Sequence, residues 1–449
     1  MKQSNAIKWY GKFIRVKGGS RKKEKGVQEN EKILQKKKIR EEQKVTINKK
    51  IDAQIVLHKK LFTFHNDEAQ KIINSFDEIV QDVFPIKSRQ QQALLQEVRR
   101  LSHELTDERS ERRLSYMNTP VVLSAYVRYF CWWNIIRFTR LFSNCDFSLV
   151  DGDSCVDVGS GPLTAVISLW LSHPELRNKK LTWYCMDISQ NALSLGEDLY
   201  LSIASRTPPT DENAAAHWNI VRVKGAFGTS IKQKAALTIC ANMVNELYDA
   251  NSASDEAFAE KFATAILSYA SETGAVFVIE PGVPQNAHII SLLRAQFLKS
   301  GLAIISPCPH EQKCAMDGYH AKRGGKAKWC NFAFSTENAP LALQKFSTDA
   351  GIPKERAVVS FIFAKRNGAS KNEQHCTKQK HLALRIASHT IFLPNHQTGF
   401  YACSECGLTL VVNSSSVKIA SGDSLLVKPL RALKNLSHDK KTNAVVLTI

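Results

Sequence analysis

Cys155-Val156-Asp157-Val158-Gly159-Ser160-Gly161-Pro162-Leu163-Thr164 is the stretch on which the fold turns. An apolar run, Cys155–Val158, leads into two glycines one residue apart, and Pro162 is a favoured first-turn residue of a helix. The pattern reads as strand, tight turn, helix. Glycine at 159 and 161 lets the backbone turn and approach a ligand with no β-carbon in the way. In open α/β sheets, cofactors bind in the crevice beyond the carboxyl ends of the strands. A dinucleotide fingerprint needs a third glycine three residues on. Thr164 stands there instead, which argues against a nicotinamide site.

Downstream, Leu181–Met186, Ile220–Val223, Leu237–Ala241, Ala275–Ile279 and Val358–Phe363 are further short apolar runs. Helical patterns separate most of them, which predicts an α/β domain with a parallel sheet and crossover helices over 151–366. The second strand ends in Met186-Asp187-Ile188-Ser189, and an acid at that tip accepts hydrogen bonds from ribose hydroxyls. The glycine turn and this acid together resemble the class I S-adenosylmethionine-dependent methyltransferases. That resemblance implies a Rossmann-type sheet, with Asp157, Gly159 and Gly161 along the methionine and ribose of S-adenosylmethionine and Asp187 on the ribose. After the fourth strand comes Asn242-Met243-Val244-Asn245-Glu246-Leu247, not the aromatic-flanked N/D-P-P-Y/F tetrad of amino-methylating enzymes. Asn245 and Glu246 either face the cofactor crevice or cap the following helix. No catalytic residue is assigned.

Upstream, Leu94, Leu95, Val98, Leu101 and Leu105 recur at spacings of three and four, one face of a helix. Val121–Phe142 carries Tyr126, Tyr129, Phe130, Trp132 and Trp133, expected mostly in the core of a helical region over 66–150. Residues 1–50 hold 17 Lys/Arg against 5 Glu, giving +12. They read as a flexible or partly helical basic arm, reaching to about residue 65, that lies along phosphates. A mitochondrial presequence is the rival, although such segments are rich in Arg and Ser and poor in acids, whereas Lys dominates here. Beyond Asn367 a polar linker leads to a β-rich module over 380–449, with strands expected at Thr390–Leu393, Gly399–Ala402, Leu408–Val412, Ser424–Val427 and Ala444–Thr448.

Over all 449 residues the net charge is +19, which favours a polyanionic partner. Hydrophobic and charged contents of 43% and 23% are globular values, excluding wholesale disorder and collagen-like repeats. No apolar stretch reaches the ~18 residues of a membrane span, and Met1–Tyr10 lacks a secretory core. The expectation is a soluble intracellular protein. Eleven cysteines without a secretory signal argue against a disulfide framework.

Between the fifth and last strands lies an insert, 306–334, rich in Cys, Gly and Lys. It contains Pro307-Cys308-Pro309-His310-Glu311-Gln312-Lys313-Cys314 and then Lys328-Trp329-Cys330-Asn331-Phe332. Further on, Tyr401-Ala402-Cys403-Ser404-Glu405-Cys406-Gly407 offers one or two more thiols. Thiolates held together repel each other unless a metal neutralises them. Four cysteines suit tetrahedral zinc or an iron–sulfur cluster, and spacing leaves both open. Only Cys403 and Cys406 have the spacing of a zinc knuckle. Cys131, Cys145, Cys155, Cys185 and Cys240 lie in apolar contexts and read as structural.

The C-P-H-x-x-x-C stretch, the W-C-x-F after it, Ile279-Glu280-Pro281-Gly282 and Val244-Asn245-Glu246-Leu247 resemble one family over about residues 90–430. It comprises the methyltransferase-like assembly factors of the mitochondrial small ribosomal subunit and their bacterial relatives. The resemblance implies a methyltransferase-like domain, a [4Fe–4S] cluster on four cysteines, and binding to small-subunit rRNA during assembly. Cys308 and Cys314 match the box, Cys330 the cysteine before Phe, and Cys403 the fourth through its Cys-x-x-x-Gly context. Cys406 is then a spare thiol, or itself the ligand. The sequence departs from the family in the longer gap before Cys330, filled by Asp317–Lys328, and in Lys328 and Asn331 where D-W-C-H-F is common.

The expected function is an rRNA-binding assembly or maturation factor, monomeric and not membrane-bound, that carries S-adenosylmethionine. One rival is an active rRNA methyltransferase with structural zinc. Another is a cluster that senses iron or oxidant and tunes ribosome assembly. The bacterial cytoplasm is the expected compartment, with the mitochondrial matrix as alternative. A cluster joining Cys330 to Cys403 would clamp the C-terminal module onto the α/β domain. Lys322, Arg323, Lys326 and Lys328 beside it either contact phosphates or form a solvated loop.

Overall fold

Strand β1 (Gln54–Lys59) pairs antiparallel with residues almost four hundred positions later, along Ser424–Lys428. The computed structural model describes residues 54–87, 90–106, 116–248, 254–366, 381–413, 418–428 and 437–449. All belong to one compact unit, Asp52–Ile449. The basic arm as far as residue 53 and the linker at 367–380 lie outside the described residues.

Helix α1 (Asp67–Asn74) starts at Asn66, whose side-chain oxygen accepts the Ala69 N–H at 2.9 Å, with Asp67 and Glu68 in the first turn. Both features suit the positive end of a helix. Helices α2 (Phe76–Val83) and α3 (Gln91–Thr106) follow, and Leu94, Val98 and Leu101 of α3 are buried as their spacing requires. Pro120 opens a short helix, Pro120–Ala125, joined by a π-helical turn at Tyr126–Cys131 to α4 (Trp132–Phe142). Tyr129, Trp132 and Trp133 are buried in the core, while Tyr126 and Phe130 are half-buried.

The α/β sheet contains β2 (Ser154–Val158), β3 (Thr182–Asp187), β4 (Asn219–Lys224), β5 (Ala235–Ala241), β6 (Ala270–Pro281), β7 (Leu302–Ser306), β8 (Phe332–Ser335) and β9 (Arg356–Arg366). Its order is β4-β3-β2-β5-β6-β9-β7, with β8 on β9. β2 to β6 run parallel, and β9 inserts antiparallel between β6 and β7. This is a class I methyltransferase-like sheet. The crossover helices are α5 (Thr164–Ser172), α6 (Gln190–Arg206), α7 (Asp255–Leu267) and α8 (Pro284–Lys299), and α9 (Leu341–Asp349) precedes β9. Trp170 of α5 packs edge-on against Trp218 at 4.9 Å, and their indole N–H groups donate to Thr207 and to the Leu176 carbonyl, so neither ring buries an unmet donor.

Two strands of this sheet, β7 and β8, are absent from the apolar runs read in the sequence. The turn after β2 also differs from expectation. Pro162 does not open the helix, because Gly159, Gly161 and Leu163 all take positive φ (69°, 51° and 54°), and the helix starts at Thr164.

The second sheet holds β10 (Leu382–Ile386), β11 (Ile391–Phe392), β12 (Thr398–Ser404), β13 (Gly407–Asn413), β14 (Ser424–Lys428) and β15 (Val445–Thr448). Its order is β1-β14-β10-β12-β13-β15, with β11 on β12. All its pairs are antiparallel except β13 with β15. β1 and β10 are additions to the strands expected: β1 belongs to the stretch read as arm, and β10 directly follows the linker. Leu384, Ile386, Ala402, Val411 and Leu425 are buried at the centre of this module. Among the described residues no helix is long and apolar enough to cross a membrane.

Candidate cofactor cleft and cysteine cluster

The carboxyl ends of β2, β3 and β5 converge on a cleft of about 130 Å³. Gly159 and Gly161 form one wall, Met186, Asp187 and Ile188 a second, and Asn242, Met243 and Glu246 a third. Close packing holds the glycine turn. A β-carbon on Gly196 of α6 would come within 2.4 Å of the Pro162 carbonyl carbon, so glycine there lets the helix back directly onto the loop.

Asp187 ties the loop from the other side. Its Oδ2 accepts the Gly161 N–H at 2.9 Å and its Oδ1 the Ser189 N–H at 2.8 Å. Burial raises its pKa above the usual carboxylate value, against these bonds. Asp187 lines the cleft, and each oxygen retains lone-pair capacity beyond its backbone bond. Asp157 lies behind the turn, 1% exposed, and accepts the Ser160 hydroxyl at 2.6 Å. Burial pushes its carboxyl up to about 7, with Ser160 opposing and the charge of Asp187 adding to the shift.

Glu246 lines the cleft, and Asn245, beside it in the short helix Val244–Leu247, does not. Most of the other lining residues escaped the sequence reading, Asn242, Tyr126 and Met243 among them. Asn242 takes φ 58°, and its buried Oδ1 has no hydrogen-bond partner. A left-handed non-glycine residue at a strand tip marks a strained position, which no sequence pattern announces. Tyr126, in the π-helical turn, contributes a phenol whose pKa burial and then Glu246 push up. Met243 covers Gly159.

The cysteines gather where the two sheets meet. Cys308 and Cys314 follow β7, Cys330 precedes β8, and Cys403 sits on β12. Burial, then the charges of Cys314, Cys308 and Cys403, hold the Cys330 thiol far above its ordinary pKa. Cys403 is raised by burial and then by Cys314 and Cys308, and Cys308 is raised to about 11, mainly by burial. All four thiols thus share one electrostatic neighbourhood. Cys406 does not join it: it is exposed, and after burial only Glu405 shifts it. Cys131, Cys145, Cys155, Cys185 and Cys240 are buried, as their apolar contexts predict.

The surrounding groups are polar and well held. The buried Arg294 of α8 donates from Nε to Cys308 Sγ at 3.1 Å and from Nη2 to the His310 carbonyl at 2.6 Å. His310 Nε2 stands 3.0 Å from Cys403 Sγ. Arg385 of β10 donates to the Pro307 carbonyl at 2.8 Å, across the same seam. Neither arginine has a motif around it in the sequence. Among the described residues no group of three or more His, Cys, Asp or Glu side chains is placed to hold a metal ion. The thiols sense one another's charge without converging on a point.

No curated protein matches the chain. Solved structures similar to it include a ribosomal protein L11 methylase from Lactobacillus delbrueckii subsp. bulgaricus (12% identity, 39% of this chain and 69% of that one, TM-score 0.25). Others are a precorrin-6y C5,15-methyltransferase from Geobacter metallireducens (10%, 49% and 84%, 0.27) and a SAM-dependent methyltransferase from Geobacter sulfurreducens in complex with S-adenosyl-L-homocysteine (11%, 59% and 97%, 0.27). At such scores the strand order itself, not these likenesses, carries the fold. The sequence profile described as mitochondrial small ribosomal subunit Rsm22 matches residues 150–405, from just before β2 to just beyond Cys403. Since that segment is more than half of the chain and takes in both the glycine turn and all four gathered cysteines, the protein belongs to the mitochondrial small ribosomal subunit Rsm22 family.

Proposed function

We propose that this chain is an rRNA-binding assembly or maturation factor of the small ribosomal subunit, with an S-adenosylmethionine-binding domain and a four-cysteine iron–sulfur site. What supports the reading is that the segment matched to the family runs from the glycine turn to Cys403 and takes in Cys308, Cys314 and Cys330, which the fold brings to the same seam between the sheets. The family's name associates it with the mitochondrial small subunit and favours the matrix over the bacterial cytoplasm. The net charge of +19 supports an RNA partner, and the chain is read as a monomer.

The cluster is preferred to zinc on the family resemblance, since only Cys403 and Cys406 have zinc-knuckle spacing and Cys406 stands apart from the other thiols. Four thiolates on a cluster carry net negative charge, which the neighbouring Arg294 and Arg385 guanidiniums offset. When bound, the group supplies a cross-link between the sheets, and its binding energy becomes folding energy.

The first cleft suits a cationic cofactor. Asp187, Glu246 and the unpartnered Asn242 Oδ1 present acceptors to it, matching the ammonium and sulfonium charges of S-adenosylmethionine. No side chain is assigned to methyl transfer.

The test is iron and acid-labile sulfide analysis of anaerobically purified protein, with binding to a small-subunit rRNA transcript measured alongside. About four iron and four sulfide per chain, with a band near ~400 nm that Cys308→Ser removes, are expected. One zinc and no sulfide, or no metal at all, overturns the cluster. Failure to retain the transcript overturns the RNA function.

A further inference from the structure

A trench of about 480 Å³ runs along the seam between the two sheets. Gly282, Trp329 and Asn331 line it from the α/β side, and Ser388, His389 and Tyr401 from the C-terminal module. Its charged lining is of one sign: Arg137, Lys328, Lys354 and Arg356, with no carboxylate. A neighbouring hollow of about 940 Å³ shares Ala333, Lys354, Arg356 and His389 with it. That hollow adds Lys60 but also Glu337, Glu355 and Asp423, so of the two cavities only the trench has a charged lining of one sign.

Like charges are crowded here. Burial, and then Arg356 and Lys328, hold His389 below its ordinary pKa. Burial and then Arg137 bring the Lys354 ammonium down to about 7, although its residue is exposed to solvent along the trench. Among the described residues Lys328, Lys354, Arg356 and His389 have no ion-pair partner. Both lysines are nonetheless positioned. Lys354 Nζ lies 5.2 Å from the Tyr129 ring and 5.4 Å from Trp133, and Lys328 Nζ 4.7 Å from Tyr401. Aromatic rings orient a cation without neutralising it. The trench therefore presents Lys328, Lys354 and Arg356 with no ion-pair partner among the described residues, and an anionic ligand would favour the charged form of Lys354.

The ligand's shape follows from the aromatic residues. Trp329 is half-buried, its indole N–H held on the Gly282 carbonyl at 3.0 Å. Tyr401, also in the lining, carries Lys328 over its ring. Phosphates on a basic track with bases against aromatic rings are how single strands are held, whereas a duplex keeps its bases stacked on each other.

We propose that this trench binds a single-stranded RNA segment, with phosphates on Lys328, Lys354 and Arg356 and a base against Trp329, resting on the RNA-binding function above and naming its surface. Cys330 lies between Trp329 and Asn331, and Cys403 two residues after Tyr401, so the cysteine site sits directly behind the RNA track.

The experiment uses the full chain and a fluorescein-labelled oligouridine of about 12 nucleotides, within the span of known single-strand sites, with an RNA duplex of equal length beside it. Binding is followed by anisotropy at several salt concentrations, and a 4-thiouridine version is photo-crosslinked. Lys354→Gln/Arg356→Gln is expected to weaken oligouridine binding about ten-fold and to lower the salt slope by roughly 0.7 for each phosphate left without its cation. Trp329→Ala is expected to weaken it about five-fold or more. Crosslinks are expected within 328–331 and 388–401. Arg356→Gln/His389→Gln, at two exposed positions, serves if the first pair fails to fold. Lys36→Gln/Lys37→Gln/Lys38→Gln, in the basic arm, is expected to leave the crosslinks in place.

Trench variants that bind within about two-fold of wild type, crosslinks elsewhere, or a preference for the duplex overturn the trench while leaving the RNA function standing. A wild-type chain that binds neither oligouridine nor the rRNA transcript overturns both.

Discussion

The sulfur of Met243 lies where a β-carbon on Gly159 would be only 2.6 Å away. The tip of β5 is thus folded down onto the glycine turn of β2. Gly159 also has φ 69°, a conformation that costs a side-chain-bearing residue about 1–2 kcal/mol. Gly159→Ala should destabilise the protein by roughly 1–3 kcal/mol and abolish S-adenosylhomocysteine binding in calorimetry. Adding Met243→Ala relieves the contact and should restore part of the affinity. A double variant no better than the single one would show that the backbone alone is at fault.

The buried Asp157 gives stability a pH dependence of definite sign. Its carboxyl is raised from 3.8 to about 7 in the folded chain, so it favours folding fully below pH 4 and loses that contribution as pH rises through 7. At about 1.36 kcal/mol per unit, the loss is roughly 4 kcal/mol. Asp157→Asn, which keeps an acceptor for Ser160, should remove this slope. Denaturant midpoints of the two proteins compared from pH 4.5 to 7.5 check it. Parallel curves would mean that Asp157 is ionised in the fold throughout.

Cys403 and Cys406 are separated by their surroundings. Cys403→Ser should lose the iron and the visible band, and Cys406→Ser should keep both. The reverse result would move the fourth ligand to the exposed thiol.

Arg294 donates to a thiol and to a carbonyl of the same loop. Arg294→Met leaves the His310 carbonyl without that donor, an expected cost of about 1–3 kcal/mol in equilibrium unfolding, and should lower iron content as well. Arg294→Lys should not rescue either readout, because one ammonium cannot reproduce the two-pronged guanidinium. Full recovery by lysine would reduce the role of Arg294 to its charge alone.

The core of the fold was legible because local patterns carry it. The apolar runs ending at Val158 and Met186, with Gly159 and Gly161 after the first, place β2, β3 and the turn between strand and helix. What local patterns cannot show is which strand neighbours which, so the antiparallel seat of β9 between β6 and β7 emerges only in three dimensions. β8 hides in the polar insert, and β1 sits in a stretch whose charge dominates its short apolar run. At the sites, the cysteines were visible as a residue type. Arg294 and Arg385, which approach them from a helix and from another sheet, were not, because their roles depend on contacts remote in sequence. Asn242 stood in plain sight within a quoted motif, but its left-handed backbone and orphaned oxygen are conformational facts that no spacing encodes.

The pairing of β1 with β14 sets an order in time. Gln54–Lys59 leaves the ribosome some 370 residues before its partner Ser424–Lys428. At ~5–20 residues per second this is about 20 to 70 s of synthesis. For that interval an extended segment waits with its backbone donors and acceptors unpaired, the state most prone to pairing with another chain. The α/β sheet, whose strands all lie between these two, is complete before the strand is claimed. The C-terminal sheet therefore closes last, and the molecule is finished by knitting its early residues to its late ones.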